Sequence, residues 1–247
     1  MPQLLYLYGI FPAPGPGELE VQGLDKQPIS AHAIDGFVFL YSVAQQERYL
    51  ASRKNLLGHE RVLEAAMQAG YRTLLPLQFG LIIATWDRVV EELITPRGDA
   101  LKQLFGKLDG RREVSVKVLW EPDAELNQLM AENAELRTQR DQLEGKQLSM
   151  DQVVTIGQAI EEAMADRKDE VIEAFRQRLN VLAVDVVEND PLTDAMIYNT
   201  AYLIPWEGEP EFSQAIEALD TQFEDRLRIR YNNFTAPYNF AQLDQLD

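Results

Sequence analysis

The sequence contains no cysteine, only two histidines and no apolar run long enough to cross a membrane. Without thiols, the chain can form neither disulfides nor thiolate metal centres. His32 and His59 lie far apart, and neither has a second histidine or a carboxylate cluster at metal-ligand spacing. We therefore predict no metal site and no cofactor.

Signals for membrane insertion or secretion are also missing. The apolar residues 4–11 end at a series of prolines and fall far short of the roughly 20 residues of a membrane helix. The start of the sequence has neither the basic segment nor the small-residue cleavage site of a secretory signal. We expect a protein of the cytoplasm that has no lipid-membrane partner.

Basic residues are scarce in the second half of the chain. Of 247 residues, 40 are acidic and 23 basic, which gives a net charge of −17. Residues 1–120 carry 13 charges of each sign, whereas residues 121–247 carry 27 acids and 10 bases. Because such a surface repels phosphates, we expect no nucleic-acid partner.

Motifs of nucleotide-binding and hydrolytic enzymes do not occur. The sequence has no G-x-S-x-G, no P-loop and no G-x-G-x-x-G, and residues 12–18 place prolines where a phosphate cradle needs amide donors. We predict that the chain is not an enzyme. The alternative is an enzyme with an unrecognised pocket around His59 and Glu64.

The first half of the chain mixes short strands and helices. Ser42 is a candidate cap for a helix near Gln45, and Arg97-Gly98-Asp99 is predicted to form the turn before a helix. Residues 1–110 are predicted to form an N-terminal mixed α+β domain. Its expected strands are residues 4–10 and 34–43 and two short ones within 71–83, and its expected helices are 59–69, 85–94 and 100–108.

The second half predicts the order β-α-β-β-α-β, which is that of a ferredoxin-like fold. We assign residues 111–247 to a C-terminal ferredoxin-like domain whose first crossover carries a helical hairpin insertion. The overall prediction is an α+β protein of two domains. The expected elements are strand 113–120, long helices 122–145 and 149–179, strands 181–187 and 195–204, helix 210–227 and strand 227–234.

Leucines recur every seven residues in the first of the long helices, at Leu129, Leu136 and Leu143. One interpretation is an antiparallel hairpin in which this helix packs on the next one within the same chain. The alternative is a coiled-coil regulator or scaffold protein that dimerises through these leucines.

The final strand carries three of the ten bases of the acidic half. Strand periodicity places Arg226, Arg228 and Arg230 on one face, and Ile229 on the other with its apolar neighbours. These arginines either pair with acids of their own domain or mark an edge strand to which a partner adds its own strand.

Two aromatic residues follow this strand, beyond Pro237. Tyr238 and Phe240 either fold back on the domain or form an exposed aromatic anchor for a partner.

The chain resembles the gas vesicle protein F and L family, and we favour the F branch. The resemblance rests on the opening YLYGI, on HERVLEAAMQAGYRTLLPLQFG and on the closing FTAPYNF, and it covers nearly the whole chain. Gln78 replaces the arginine often found before the Phe-Gly pair. In the central segment the matching residues are His59, Val62, Leu63, Glu64, Leu75, Pro76, Phe79 and Gly80.

The resemblance implies an accessory, minor protein of the gas vesicle, a gas-filled shell polymerised from a small, very hydrophobic protein. It implies that the major shell protein, and further accessory gas vesicle proteins, are its partners, and that it supports nucleation while limiting aggregation. The motif residues His59, Glu64, Pro76, Phe79 and Gly80 are expected to be structural.

Overall fold

A computed structural model describes residues 3–141, 150–223 and 226–243. The chain forms two compact units. The first comprises the chain up to Val114, Leu203–Trp206 and the residues from Asn233 onward, and the second comprises Ser115–Tyr202 and Glu207–Asn232. The predicted α+β class is confirmed. The sequence boundary at residue 110 stays a prediction, because the first unit also takes in later segments.

The first sheet has β1 at its centre, with the order β2-β3-β1-β4, and β5 also pairs with β1. All of these pairings are antiparallel. β1 is rich in large apolar and aromatic residues, as expected for a strand that is buried on both faces. The strands are β1 Leu5–Pro12, β2 Ser30–Ile34, β3 Phe37–Val43, β4 Leu75–Pro76 and β5 Ile82–Ile83.

The predicted single strand 34–43 is instead part of a hairpin. Asp35 and Gly36 have φ values of 48° and 86° and form the two-residue turn between β2 and β3. An Asp-Gly pair favours this turn because both positions require positive φ.

The first helix, α1, spans Arg53–Gln68 and begins earlier than predicted. Ser52 caps it, since its side chain accepts a hydrogen bond from the Asn55 amide at 3.3 Å. No helix begins near Gln45, and Ser42 lies buried in β3 instead of capping one.

The helices predicted at 85–94 and 100–108 form one continuous helical segment. It consists of α2 (Trp86–Val89), a π-helical turn (Val90–Ile94) and α3 (Thr95–Leu108). Pro96, which has no N–H to donate, lies just after the π-helical turn, in the first turn of α3. The predicted turn at Arg97-Gly98-Asp99 was wrong, because these residues lie inside α3.

The second sheet has the strand order β7-β8-β6-β9. Its first and third strands in chain order lie at the centre, which is the arrangement of a ferredoxin-like fold. β7 begins later than predicted because a 3-10 turn, Asn180–Leu182, follows the long helix. The strands are β6 Arg111–Trp120, β7 Asp185–Glu188, β8 Met196–Pro205 and β9 Leu227–Thr235.

The helix predicted over residues 122–145 is broken at Asn133, which has φ −103° and ψ 94°. Its Oδ1 accepts a hydrogen bond from the Leu136 amide at 3.0 Å and so starts a new helix. The predicted end of this helix at residue 145 and the predicted start of the next at residue 149 lie outside the described residues. The helices are α4 Pro122–Glu132, α5 Ala134–Asp141, α6 Met150–Leu179 and α7 Glu209–Gln222.

We expect Asn133→Ala to lower the free energy of unfolding by about 1 kcal/mol, because it removes the acceptor for an otherwise unpaired helix amide. Urea denaturation followed by circular dichroism measures the change. Asn133→Asp keeps the acceptor and is the control. Equal stability of the alanine variant and the wild type would contradict the capping role.

The heptad leucines pack within the chain. Leu129 and Leu136 are buried in a cluster with Met130, against which Ile160 and Met164 of α6 pack. Burial against α6 supports the intrachain hairpin, and it covers two of the leucines through which the alternative coiled-coil dimer would form. Leu143 lies outside the described residues.

No helix in the described part of the chain has both the length and the apolar character that a membrane span requires.

Candidate functional site

The motif residues of the first unit meet around one buried histidine. His59 lies in α1 and is 2% exposed, and its Nδ1 is 2.9 Å from the Tyr6 hydroxyl oxygen. The Gly80 amide donates to the same hydroxyl at 3.0 Å. Three segments that are distant in sequence, β1, α1 and the loop before β5, are thereby joined.

Burial and hydrogen bonding favour the neutral form of His59. The Tyr6 oxygen accepts from Gly80, so the Tyr6 proton is available for donation to Nδ1 of a neutral imidazole. Burial lowers the pKa of His59 to about 4. A neutral, buried imidazole of this kind is consistent with the structural role expected of the motif.

The other motif residues surround the same cluster. The Phe79 ring lies 6.1 Å from Tyr6 and 6.0 Å from His59, and Pro76 pairs with Gly9 across β1 and β4. A Cβ at Gly9 would lie 2.8 Å from Leu63 Cδ2 and 3.2 Å from the Leu75 carbonyl oxygen, so a side chain there would displace its neighbours. Gly80 instead has a positive φ of 92°, which favours glycine.

The enzyme alternative requires an accessible His59 next to Glu64. Glu64 is half-buried, and burial together with the neighbouring Glu60 raises its pKa. His59, however, is enclosed and already bonded to Tyr6, so its imidazole cannot reach a substrate. Within residues 3–141, 150–223 and 226–243, no group of three or more His, Cys, Asp or Glu side chains could hold a metal ion.

The closing segment folds back onto the first unit. Phe240 is completely buried, and Lys107 Nζ lies 5.5 Å from its ring centre. Phe240 therefore cannot be the exposed aromatic anchor that one of the two interpretations required. Tyr238 is 36% exposed. The sequence did not indicate this difference, since both residues follow Pro237 in the same short segment.

A buried carboxylate holds this segment in place. Glu113 is 3% exposed and accepts hydrogen bonds from the Asn239 backbone amide at 2.9 Å and from its side-chain amide at 2.7 Å. Burial raises the pKa of Glu113 to about 7, although these hydrogen bonds favour the charged form.

The candidate partner-binding strand, β9, lies at an edge of the second sheet. Arg228 and Arg230 are exposed, whereas Ile229 and Tyr231 between and after them are half-buried. The Tyr231 ring stacks on Phe212 of α7 at 5.9 Å, which identifies the inward face. The predicted alternation along this strand is confirmed.

Arg226 differs from the other two arginines. Its Nε and Nη2 lie 3.0 and 2.6 Å from the two carboxylate oxygens of Glu125. Arg167 of α6 binds the same carboxylate at 2.7 Å and Glu132 at 2.6 Å. Arg226 thus has the intradomain pairing that was the alternative to partner binding, and only Arg228 and Arg230 are presented outward.

Sequence reasoning missed Glu125, whose side chain is only 2% exposed. Burial opposes ionisation, but hydrogen bonds from Arg226 and Arg167 outweigh it and lower the pKa of Glu125. The available signal was weak: Glu125 lies four residues before Leu129, on the side of the helix that turned out to be buried.

Comparison with known proteins agrees with the motifs. Residues 4–242 match the family described as "Gas vesicle synthesis protein GvpL/GvpF". The chain is 58% identical to gas vesicle protein F of Dolichospermum flosaquae over 97% of its length and 98% of the relative's. It is 57% identical to gas vesicle protein F of Microcystis aeruginosa, with 97% and 98% covered.

Solved structures give the same result. The crystal structure of GvpF from Anabaena sp. PCC7120 superposes with a TM-score of 0.89 at 56% identity, covering 97% of this chain and 98% of that one. GvpF from Microcystis aeruginosa gives 0.83 at 57% identity, with 97% and 99% covered. The chain therefore belongs to the gas vesicle synthesis protein GvpL/GvpF family, in its GvpF branch.

Proposed function

We propose that this chain is an accessory protein of the gas vesicle that binds the major hydrophobic shell protein and supports nucleation and assembly of the vesicle. It acts in the cytoplasm and at the gas vesicle, with other accessory gas vesicle proteins as further partners. Its task is to limit aggregation of shell subunits before they join the growing wall, and this task requires no catalysis.

The observation that carries this proposal is the edge strand β9. Edge strands expose unpaired backbone groups to which another strand can add, and charged residues on such an edge prevent indiscriminate pairing. Arg228 and Arg230 are exposed at this edge. A partner strand that tolerates or complements the arginines can dock there, while other strands are excluded.

The charge distribution supports the same role. Residues 121–247 hold 27 acids and 10 bases, so complexes with an apolar partner keep a strongly charged surface. Mutual repulsion between such complexes opposes the association of captured shell subunits.

Co-expression with the major shell protein tests the proposal. We expect affinity-purified chain to retain the shell protein, and a strain that lacks the chain to form few or no vesicles. Failure to retain the shell protein together with normal vesicles in the deletion strain would refute the proposal.

Proline substitution tests β9 as the docking edge. Along an edge strand, successive N–H groups point alternately to the neighbouring strand and to the open edge. We therefore expect one of Arg228→Pro and Ile229→Pro to weaken shell-protein capture by about tenfold while the chain stays folded, because it removes only an outward donor. Quantitative pull-down measures capture, and circular dichroism measures folding. Unchanged capture of the shell protein by both variants, each shown to be folded, would exclude β9 as the docking edge.

A further inference from the structure

The first unit contains a second strand edge, at β5, which lies beside an apolar cavity. The cavity has a volume of about 380 Å³, which lies within the range of ligand pockets. Leu7 and Phe39 of the first sheet line the cavity together with Leu81, Ile83 and Leu93. Leu81 is 40% exposed at the rim.

A π-helical turn forms one wall of this cavity. Leu93 lies in the turn Val90–Ile94, and Val89 immediately precedes it. A π-helical turn inserts an extra residue into the helix, and such turns occur frequently at functional sites. Arg88 and Glu92 form an exposed ion pair of 2.7 Å that also lines the cavity. The wall thus combines apolar side chains with a charged rim.

The backbone of Ile82 points away from the sheet. The Leu7 amide donates to the Leu81 carbonyl at 3.0 Å, so Leu7 and Leu81 are a hydrogen-bonded pair of the antiparallel ladder. Such pairs alternate with non-bonded pairs, and Tyr6–Ile82 is the next pair along the register. The N–H and C=O of Ile82 therefore face the open edge, where no strand of the described chain pairs with β5.

We propose that this edge accepts an extended apolar segment of a partner protein that carries a lysine or arginine beside its apolar residues. The backbone of that segment pairs with Ile82, and one of its apolar side chains enters the cavity. The helical segment Trp86–Ile94, which supplies one wall of the cavity, carries three exposed acids, Asp87, Glu91 and Glu92, and one exposed base, Arg88. This excess of negative charge on the segment beside the cavity favours the basic flank.

The free backbone groups distinguish this partner from other occupants. A small apolar molecule would fill the cavity but leave the outward N–H and C=O of Ile82 unused. A second copy of the chain would bring together two molecules of net charge −17. The site is separate from β9 and does not depend on the identity of the partner bound there.

A synthetic peptide of alternating valine and threonine, with lysine at each end and a fluorescent label, tests the proposal by anisotropy. We expect it to bind the full chain, and Ile82→Pro to weaken binding by about tenfold, or about 1.4 kcal/mol. Proline at position 82 removes an N–H that takes no part in the pairing with β1, and circular dichroism checks that the variant stays folded despite the loss of the Ile82 side chain from the core. Leu81→Ser should weaken binding to a similar extent.

Matched controls make each outcome decisive. Leu56→Ser removes a leucine of nearly equal exposure, 42%, from α1 and should leave binding unchanged. A peptide that is N-methylated at consecutive amides has no N–H to donate there along either edge of its strand, and it should bind poorly. A peptide with glutamate ends should also bind poorly. Equal binding by the Leu81→Ser and Leu56→Ser proteins, or by the N-methylated or glutamate-ended peptide, would overturn the proposal. So would cavity occupancy by a small apolar dye, or dimer formation in light scattering, without binding of the lysine-ended peptide.

Discussion

Replacing Glu125 with alanine is expected to lower the free energy of unfolding by about 3–5 kcal/mol. The side chain is 2% exposed, and its carboxylate binds both Arg167 and Arg226, whose side chains are 12% and 24% exposed. Removal leaves two poorly solvated guanidinium groups facing each other without the anion between them. The loss therefore includes the repulsion of the two cations as well as the lost hydrogen bonds.

Glu132→Ala is the matched control for this variant. Glu132 also binds Arg167, but its side chain is 52% exposed, so water replaces the lost contact and we expect little change. Urea denaturation gives the free energies, and hydrogen exchange of α4 and α6 amides locates the change. Comparable losses in the two variants would show that burial of Glu125 does not determine the effect.

His59 and Glu113 are expected to give the chain two opposing responses to pH. The folded-state pKa of His59, about 4, lies below the ordinary value of 6.5. The folded chain thus binds fewer protons than the unfolded chain, and stability is lost as pH falls from 6.5 to 4. The pKa of Glu113, about 7, lies above its ordinary 4.5, so its contribution is present below pH 4.5 and is lost as pH rises to 7.

His59→Gln separates the two responses. As pH falls from 7 to 4, the free energy of unfolding of His59→Gln should rise by about 3 kcal/mol relative to that of wild type, because the variant lacks the imidazole that resists protonation. Over the same interval, the free energy of unfolding of Glu113→Gln should fall by a similar amount relative to that of wild type. Chemical denaturation at each pH measures both differences.

His32→Gln is the control for loss of an imidazole elsewhere, since His32 stacks on Trp86 at 4.1 Å and makes no part of the Tyr6 cluster. This variant should keep the loss of stability that His59 causes in acid. A His59→Gln variant whose stability runs parallel to that of wild type from pH 7 to pH 4 would disprove the assigned protonation state.

The sequence predicts those features that depend on local periodicity. Alternating residues revealed β9 and the orientation of its arginines, and leucine spacing revealed the packing of α4 and α5 on α6. It also contained signals that we did not use: Asp35-Gly36 favours the hairpin turn, and Asn133 is a preferred cap. The remaining misses depend on partners far away in the chain. Glu125 meets Arg226 across 101 positions, and no local pattern can indicate that pairing.

Family motifs identified residues without giving their roles. The motif His59 and the opening Tyr6 are 53 positions apart, and only the structure shows that they share a hydrogen bond. Similarly, the sequence predicts the same environment for Tyr238 and Phe240, yet Tyr238 is partly exposed and Phe240 is fully buried. Burial of an aromatic residue after a proline depends on the surface that it folds onto, which the segment itself does not encode.

The division of the chain into units has a consequence for synthesis on the ribosome. All residues of the second unit precede Asn233, whereas the first unit includes residues from Asn233 onward. Translation therefore delivers a complete second unit before the first unit has its last segment. Until Asn239 and Phe240 emerge from the ribosome, Glu113 lacks its hydrogen-bond donors, and the buried Phe240 ring is missing from the core of the first unit. The half that is made first is completed last.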